Sequence, residues 1–317
     1  MKSKPYFFLI GSGLQGPGFR TALLGVLVAF SSMPPVARAS DFEAIEAAAS
    51  GGDAQAQFEL GRAYFRGLGT DKDLKKSLEW LEKAAAQNHA EAAGSIGYFY
   101  TEGIAVEKDD GKAVEWFRKA AEAGSPKGQL NLGLMYRKGR GVEMSNTEGI
   151  KWIQKSVDSG LPDARYTLGE LYFLGDDHQA VDREKAIPLL QPLADEGNPK
   201  AQNLIGIAYR DGLGGTTIDL KAAEEWFRRA GIQGEQKAQS NLGHLLVPED
   251  PEAPRRLEAL GWLMVSESQG ELTAKKTLDQ LRPAIDPTTI VKAMDEKNRI
   301  AKLIQNAKPP VAPTPAK

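Results

Sequence analysis

Apolar and small residues recur along this chain at intervals of 36 or 37 positions, marked by Gly61, Gly97, Gly133, Gly169, Gly206 and Gly243. Five residues before each of these glycines stands a small residue: Ala56, Ala92, Gly128, Ala164, Ala201 and Ala238. One residue before stands Leu or Ile: Leu60, Ile96, Leu132, Leu168, Ile205 and Leu242. Two residues after stand Ala63, Phe99, Met135, Leu171, Ala208 and Leu245, and three after the first five come Tyr64, Tyr100, Tyr136, Tyr172 and Tyr209. These offsets fall on one stripe of a 3.6-residue helix. All five tryptophans share a second slot (Trp80, Trp116, Trp152, Trp226 and Trp262), with Leu189 in the missing place. A period of this length signals stacked supersecondary units rather than a single-core enzyme fold.

Each repeat reads as two helices. The first ends at Gly67, Gly103, Gly139, Gly175 or Gly212, since glycine accepts the left-handed backbone that stops a helix. A further glycine two positions on (Gly69, Gly141, Gly214) continues the turn. The second helix carries the tryptophan and a small pair such as Ala84-Ala85, and stops at Gly124, Gly160, Gly197, Gly234 or Gly270, or at Asn88. Recurrent glycine inside the first helix costs about 1 kcal/mol of helix propensity, so it predicts a helix-helix approach too close for a β-carbon. Each tryptophan is expected to fill the gap between its own pair and a neighbouring helix, at about 3–5 kcal/mol for truncation to Ala.

The register predicts six repeats over 53–270, preceded by a cap at 40–52 whose helix, 41–50, has Asp41 as N-cap. Capping helices follow at 271–307 (271–281 and 288–307), then a Pro-rich tail, 308–317, expected to be disordered. Two repeats depart from the pattern. Pro188 and Pro192 predict a late-starting, kinked or short second helix in the fourth. In the sixth, VPEDPEAP replaces the glycine turn.

With these motifs in place, the chain resembles the Sel1-like repeat family, relatives of tetratricopeptide repeats. Residues 56–88, AQFELGRAYFRGLGTDKDLKKSLEWLEKAAAQN, follow its pattern A-x4-LG-x2-Y-x2-G-x-G, then KA-x2-W-x3-AA and a closing Gly, with Ser77 for the Ala and Asn88 for the Gly. The resemblance covers residues 41 to about 281. It implies an all-α fold, an α/α superhelical solenoid that acts as a protein-protein adaptor, in bacteria often in the envelope. It supplies no catalytic residues. A cysteine-rich subgroup is linked to penicillin binding and β-lactamase activity, and this chain has no cysteine.

The N-terminus changes the picture of where the chain works. Lys2, Lys4 and Arg20 precede or flank the apolar run Thr21–Phe30, Ala37-Arg38-Ala39 follows it, and no acid occurs before Asp41. This reads as a secretory signal peptide, 1–39, with the mature chain starting at Ser40 and placed in the periplasm or the medium. Gly11-Ser-Gly13-Leu-Gln-Gly16 matches a dinucleotide fingerprint in spelling but lacks the following βαβ unit and acidic residue. Past the leader, 36 basic residues face 42 acids, a net charge of −6. That balance argues against sequence-independent nucleic acid binding. No membrane insertion is expected of the mature form, and no disulfide framework is available.

Candidate chemistry is sparse. His89, His178 and His244 have no second His or Cys at metal-ligand spacing. Asp176-Asp177-His178 is the one compact cluster. Serine β-lactamase motifs are missing, and the calcium-like start Asp71-Lys-Asp73 has Lys76 where the loop needs glycine. No metal, cofactor or catalytic residue is expected; a hydrolase acting on cell-wall or β-lactam substrates is the alternative. The face opposite the core stripe is more informative. Offsets −3, +1 and +4 from the clock glycine hold Phe58, Arg62, Phe65, Tyr98, Arg137, Tyr166, Glu170, Phe173, Arg210 and His244. In related superhelices this side of the first helix lines the concave groove. Aromatics with Arg are enriched at binding hot spots, so these residues are the candidate groove for a protein or peptide partner, an envelope component.

Overall fold

A computed structural model describes residues 39–247 and 255–307. The expected leader up to residue 38, most of the Pro-rich turn (248–254) and the tail (308–317) lie outside the described residues. The chain divides into two compact units, Met1–Ser159 and Gly160–Lys317. In the first, α1 (Ala39–Ser50) is followed by the pairs α2 (Ala54–Arg66) and α3 (Leu74–Ala86), α4 (Ala90–Glu102) and α5 (Asp110–Glu122), and α6 (Pro126–Lys138) and α7 (Asn146–Asp158). In the second come α8 (Pro162–Leu174) and α9 (Arg183–Asp195), α10 (Pro199–Asp211) and α11 (Leu220–Ile232), and α12 (Gln236–Leu246) and α13 (Arg256–Ser268). Helix α14 (Leu272–Leu281), a 3-10 turn and α15 (Pro287–Asn306) close it. Within each unit successive helices pack on one another, giving an all-α stack of helix pairs, an α/α solenoid.

The turns explain the spacing. Helix α2 stops at Gly67 with φ 73°, and Gly103, Gly139 and Gly212 repeat that left-handed cap. The chain then runs to an Asp or Ser that caps the second helix: Asp73, Asp109, Ser145, Asp182 and Asp219. The same five residues donate their backbone N–H to the carbonyls of Tyr64, Tyr100, Tyr136, Tyr172 and Tyr209 at 2.8–3.0 Å. Side-chain cap and backbone bond together fix where each second helix begins, the cap alone being worth about 1 kcal/mol. The second turn glycine has a packing reason. A β-carbon on Gly141 would lie 2.0 Å from the Asp110 carbonyl oxygen, at the start of the preceding repeat's second helix.

The predicted stripe is the core. Leu60, Ile96, Leu132, Leu168, Ile205 and Leu242 are all fully buried. The clock glycines face one residue each: Leu81, Phe117, Ile153, Leu190, Phe227 and Leu263, all 0 % exposed. A β-carbon at the glycine would come within 2.6–2.9 Å of that side chain. This plug residue stands immediately after the tryptophan slot. The tryptophans themselves sit further out. Trp80, Trp116, Trp152 and Trp226 are half-buried, with Lys83, Lys119, Lys155 and Arg229 over their rings. Trp116 packs on the cluster that joins Phe58 and Leu81 of the preceding repeat to Phe99 of its own, and Trp152 on that around Phe117. They do bridge to a neighbouring helix, but they seal the seam from outside rather than fill it. Trp262 differs, at 1 % exposed, in the cluster that also holds Ile300 of α15.

A buried glutamine four residues before the clock glycine joins consecutive pairs. Gln57, Gln202 and Gln239 donate to the carbonyls of Ala49, Ala194 and Gly231, near the end of the preceding helix. Their own Oε1 atoms accept from Gln87, Gln233 and Gln269, which follow the next second helix.

Two expectations are corrected. Helix α1 starts at Ala39, so Asp41 lies inside it and is not its N-cap. Helix α9 is neither late nor short: it runs thirteen residues, as its neighbours do, with Pro188 and Pro192 inside. Both prolines are exposed and one turn apart. The carbonyls left without an intrahelical donor, of Glu184 and Pro188, therefore fall on the outer side, where water replaces the bond. Leu190 still plugs Gly169.

Candidate functional site: the face of the first helices

In the first unit the candidate residues come from α2, α4 and α6. Phe58 is only 7 % exposed and stacks on His89, ring centroids 4.6 Å apart. His89 is the N-cap of α4: its Nδ1 accepts from the Ala92 N–H, so Nε2 carries the proton toward Gln55. Phe58 thus belongs to the core, a correction to its expected place on an exposed face. Its position faces α4 across the seam between repeats, where Leu81, Ala92 and Ile96 receive it. Arg62 lies against the Phe58 ring and is 8 % exposed. Burial, then Arg66, holds the Arg62 guanidinium below its ordinary range, with Glu59 opposing. Phe65 is half-buried against Phe99, with Lys72 over its ring. Tyr98 is half-buried, and burial and then Glu102 push its phenol up. Arg137, 8 % exposed, lays its stem across Gly149 and donates from Nε to Asn146 Oδ1 at 2.9 Å.

In the second unit Tyr166 donates its hydroxyl to Glu170 at 2.6 Å, with Lys200 over the ring. Burial first, then Glu170 and Glu235, push that phenol far up. Glu235, before α12, is itself raised by burial. Phe173 is 2 % exposed among Ala186, Leu190 and Ala201. It is core and not groove surface, because its side of α8 faces α9 and α10. Arg210 forms a two-point ion pair with Asp211, both bonds 2.7 Å. His244 donates from Nδ1 to the Ser240 carbonyl at 2.7 Å and accepts at Nε2 from Thr277 at 2.6 Å, tying α12 to α14. Sequence reasoning missed Lys200 and Glu235, which lie around Tyr166.

The Asp176-Asp177-His178 turn is exposed and closes on itself. Asp176 and Gln179 pair through their backbones, and Asp176 Oδ1 accepts from the His178 N–H. Among the described residues no group of three His, Cys, Asp or Glu side chains is placed to hold a metal, and no helix is long and apolar enough to cross a membrane.

Paired helices on a fixed clock, with glycine at each contact, define a helical repeat protein. The comparisons give the family. A family model for the Sel1 repeat matches residues 54–89, 90–125, 126–161, 162–198 and 199–235. A Sel1 repeat protein from Oxalobacter formigenes is 34 % identical, with 83 % of this chain and 75 % of that chain covered and a TM-score of 0.62. The chain belongs to the Sel1 repeat family. The pair α12–α13 continues the register beyond the matched segments. A putative Sel1 repeat protein from Klebsiella pneumoniae is 21 % identical over 64 % of this chain and 98 % of that one, TM-score 0.44. An immunity protein from Pseudomonas aeruginosa is 21 % identical over 83 % and 89 %, TM-score 0.41. No functionally curated protein matches the sequence. Sel1 repeat proteins are generally protein-interaction scaffolds and typically not enzymes.

Proposed function

We propose that this protein is an exported adaptor that holds a partner polypeptide against the faces of its first helices and performs no chemistry of its own. The observation that carries the reading is the state of Tyr98 and Tyr166. Each ring is half-buried, neither belongs to the fully buried core, and charged groups (Glu102 by one, Glu170 and Lys200 by the other) surround them. Aromatic rings held at the edge of a packed surface offer contact area at low entropic cost. Both rings pack on buried clusters from their edge rather than from within. Export rests on the basic, apolar and Ala-x-Ala order of residues 1–39. An envelope partner follows from that export.

The test places a photocrosslinking residue at Tyr98, at Tyr166 and, on a second helix, at exposed Lys83, in the full chain expressed in its native envelope. Capture of one partner from positions 98 or 166 and not from 83 is expected. Capture from 83 alone, or from none, would overturn the assignment of the face. N-terminal sequencing of the exported protein should give Ser40; a chain still starting at Met1 would refute export by cleavage.

A further inference from the structure

We infer a second docking surface, apart from the first-helix face, on the turn edge of the second unit. It takes a polypeptide segment in which one Asp or Glu is flanked by aliphatic residues. The turns of two consecutive repeats build it. Residues 181–184 and 212–214 line an open cleft of about 370 Å³, all within the second unit. Its walls stand close together: a β-carbon on Gly214 would lie 2.6 Å from the Arg183 carbonyl oxygen and from Ile187 Cγ1.

Arg183 is the charged group here without a match. It opens α9, and its guanidinium lies over the Phe173 ring, 5.6 Å from the centroid. Among the described residues it has no ion-pair or hydrogen-bond partner, and its Nε is sealed from solvent as well. A buried nitrogen left in that state needs an explanation. Helix stability does not supply one, since a cation at a helix N-terminus opposes the dipole. Nor does the repeat, whose other second helices open with Leu74, Asp110, Asn146 and Leu220. The terminal nitrogens are left for a carboxylate from outside, and a guanidinium backed by an apolar ring pairs more strongly than one in bulk water. Of the neighbouring charges, Asp182 is closed on Lys185 at 2.8 Å. Exposed Glu184 repels an acid placed away from Arg183, so the site fits one carboxylate and not an acidic run.

The flanks of the cleft are apolar. Val181 covers Gly175 and Ile218 covers Gly212, each 2.9 Å from where a β-carbon would stand. Leu174 and Leu220 adjoin them in sequence, and all four are 45–68 % exposed. Exposed aliphatics scattered singly are ordinary. The register argues against that here. The residue set against the cap glycine is Lys72 and Lys108 in the first two repeats and Met144 in the third. At the position of Leu174 the other repeats carry Arg66, Glu102, Lys138 and Asp211. Two consecutive turns thus present aliphatic side chains where the edge is otherwise mostly charged. A partner's aliphatic residues would take that surface out of water, at about 25 cal/mol per Å².

The experiment pans a phage-displayed library of random short peptides on the immobilised full chain and measures the recovered peptides by fluorescence anisotropy. Recovered sequences are expected to share one Asp or Glu between aliphatic residues. Arg183→Gln and Ile218→Asp should each weaken their binding about tenfold. Arg183→Lys, which keeps the charge but not the two-nitrogen fork, should restore only part of it. Lys83→Glu, in the first unit, should leave it intact. Ile218 is so exposed that its variant keeps the wild-type thermal midpoint, and it decides the matter even where Arg183→Gln disturbs Phe173. No enriched sequence, enriched sequences without the acid, or binding indifferent to Ile218→Asp would overturn the inference. The crosslinks at Tyr98 and Tyr166 read the other surface, so failure there refutes the first-helix face and leaves this edge standing.

Discussion

Gly97 and Phe117 are made for each other: a β-carbon on the glycine would stand 2.7 Å from Cδ1 and Cε1 of a ring that is fully buried. The first and second helices of that repeat meet at this point. Every repeat makes the same contact with a different side chain, so the glycine is constant while its occupant varies between Leu, Ile and Phe.

Two glycines three residues apart in α4 should therefore respond with opposite sign. A β-carbon on Gly94 would meet only Ala120 Cβ at 3.7 Å, an ordinary contact. Gly94→Ala should stabilise by about 1 kcal/mol through helix propensity. Gly97→Ala gains the same propensity but overpacks the contact, which typically costs about 1–3 kcal/mol, and should lower stability. Thermal melts of the two variants decide it; the same sign for both would contradict the packing account.

The plug and its neighbour make a second pair. Phe117→Ala empties a closed site and should cost about 3–5 kcal/mol. Trp116→Ala removes a larger but half-exposed side chain with Lys119 over it, so it should cost clearly less, revising the expectation that the tryptophans are the interior anchors. Denaturant midpoints that ranked Trp116→Ala as the more damaging would reverse this reading.

The helix pairs, their turns and the stripe were legible in the sequence because each repeats at a fixed offset in a small alphabet: Gly at contact and cap, Leu or Ile in the core, Tyr where the turn is pinned. The plug was not, because no single residue type recurs there and the adjacent tryptophan is the more conspicuous letter. The candidate face was legible in part. Offsets from the clock glycine place Tyr98 and Tyr166 at the edge of the packing. The same offsets do not separate them from Phe58 and Phe173, because those point into seams whose other wall belongs to the next repeat or the second helix. That wall is a three-dimensional fact with no counterpart in one helix's periodicity.

Ala105 occupies the slot that Gly69 and Gly141 fill elsewhere, with the same left-handed backbone, φ 59°. A β-carbon costs about 1–2 kcal/mol in that region, and the added freedom of glycine in the unfolded chain offsets roughly 0.5–1 kcal/mol of it. Ala105→Gly should thus stabilise by several tenths of a kcal/mol to about 1 kcal/mol, an uncommon result for a glycine substitution. A lower thermal midpoint for Ala105→Gly would show that the alanine methyl makes contacts worth more than the backbone strain.

His244 predicts how stability in the second unit varies with pH. Burial, and then Arg210, holds its imidazole below the ordinary value, while the Ser240 carbonyl and Glu271 pull the other way and do not win. The hydrogen bonds agree with a neutral ring: Nδ1–H donates to the Ser240 carbonyl, and Nε2 takes a proton from Thr277. With the folded value depressed, the unfolded chain binds the proton more readily, so stability rises with pH through this window. The contribution is complete above the unfolded histidine value, about 6.5, and is lost as pH falls below it. Protonation also turns Nε2 into a donor and forces Thr277 to rotate its hydroxyl, loosening the tie between α12 and α14. Glu235, raised by burial, acts with the opposite sign, since its neutral form is the one the fold favours. The wild-type thermal midpoint should therefore fall between pH 7.5 and 5.5. In His244→Gln the amide can still bridge toward Thr277 without titrating, so that variant should lose most of the fall. An unchanged slope in His244→Gln would mean that another group carries the acid sensitivity.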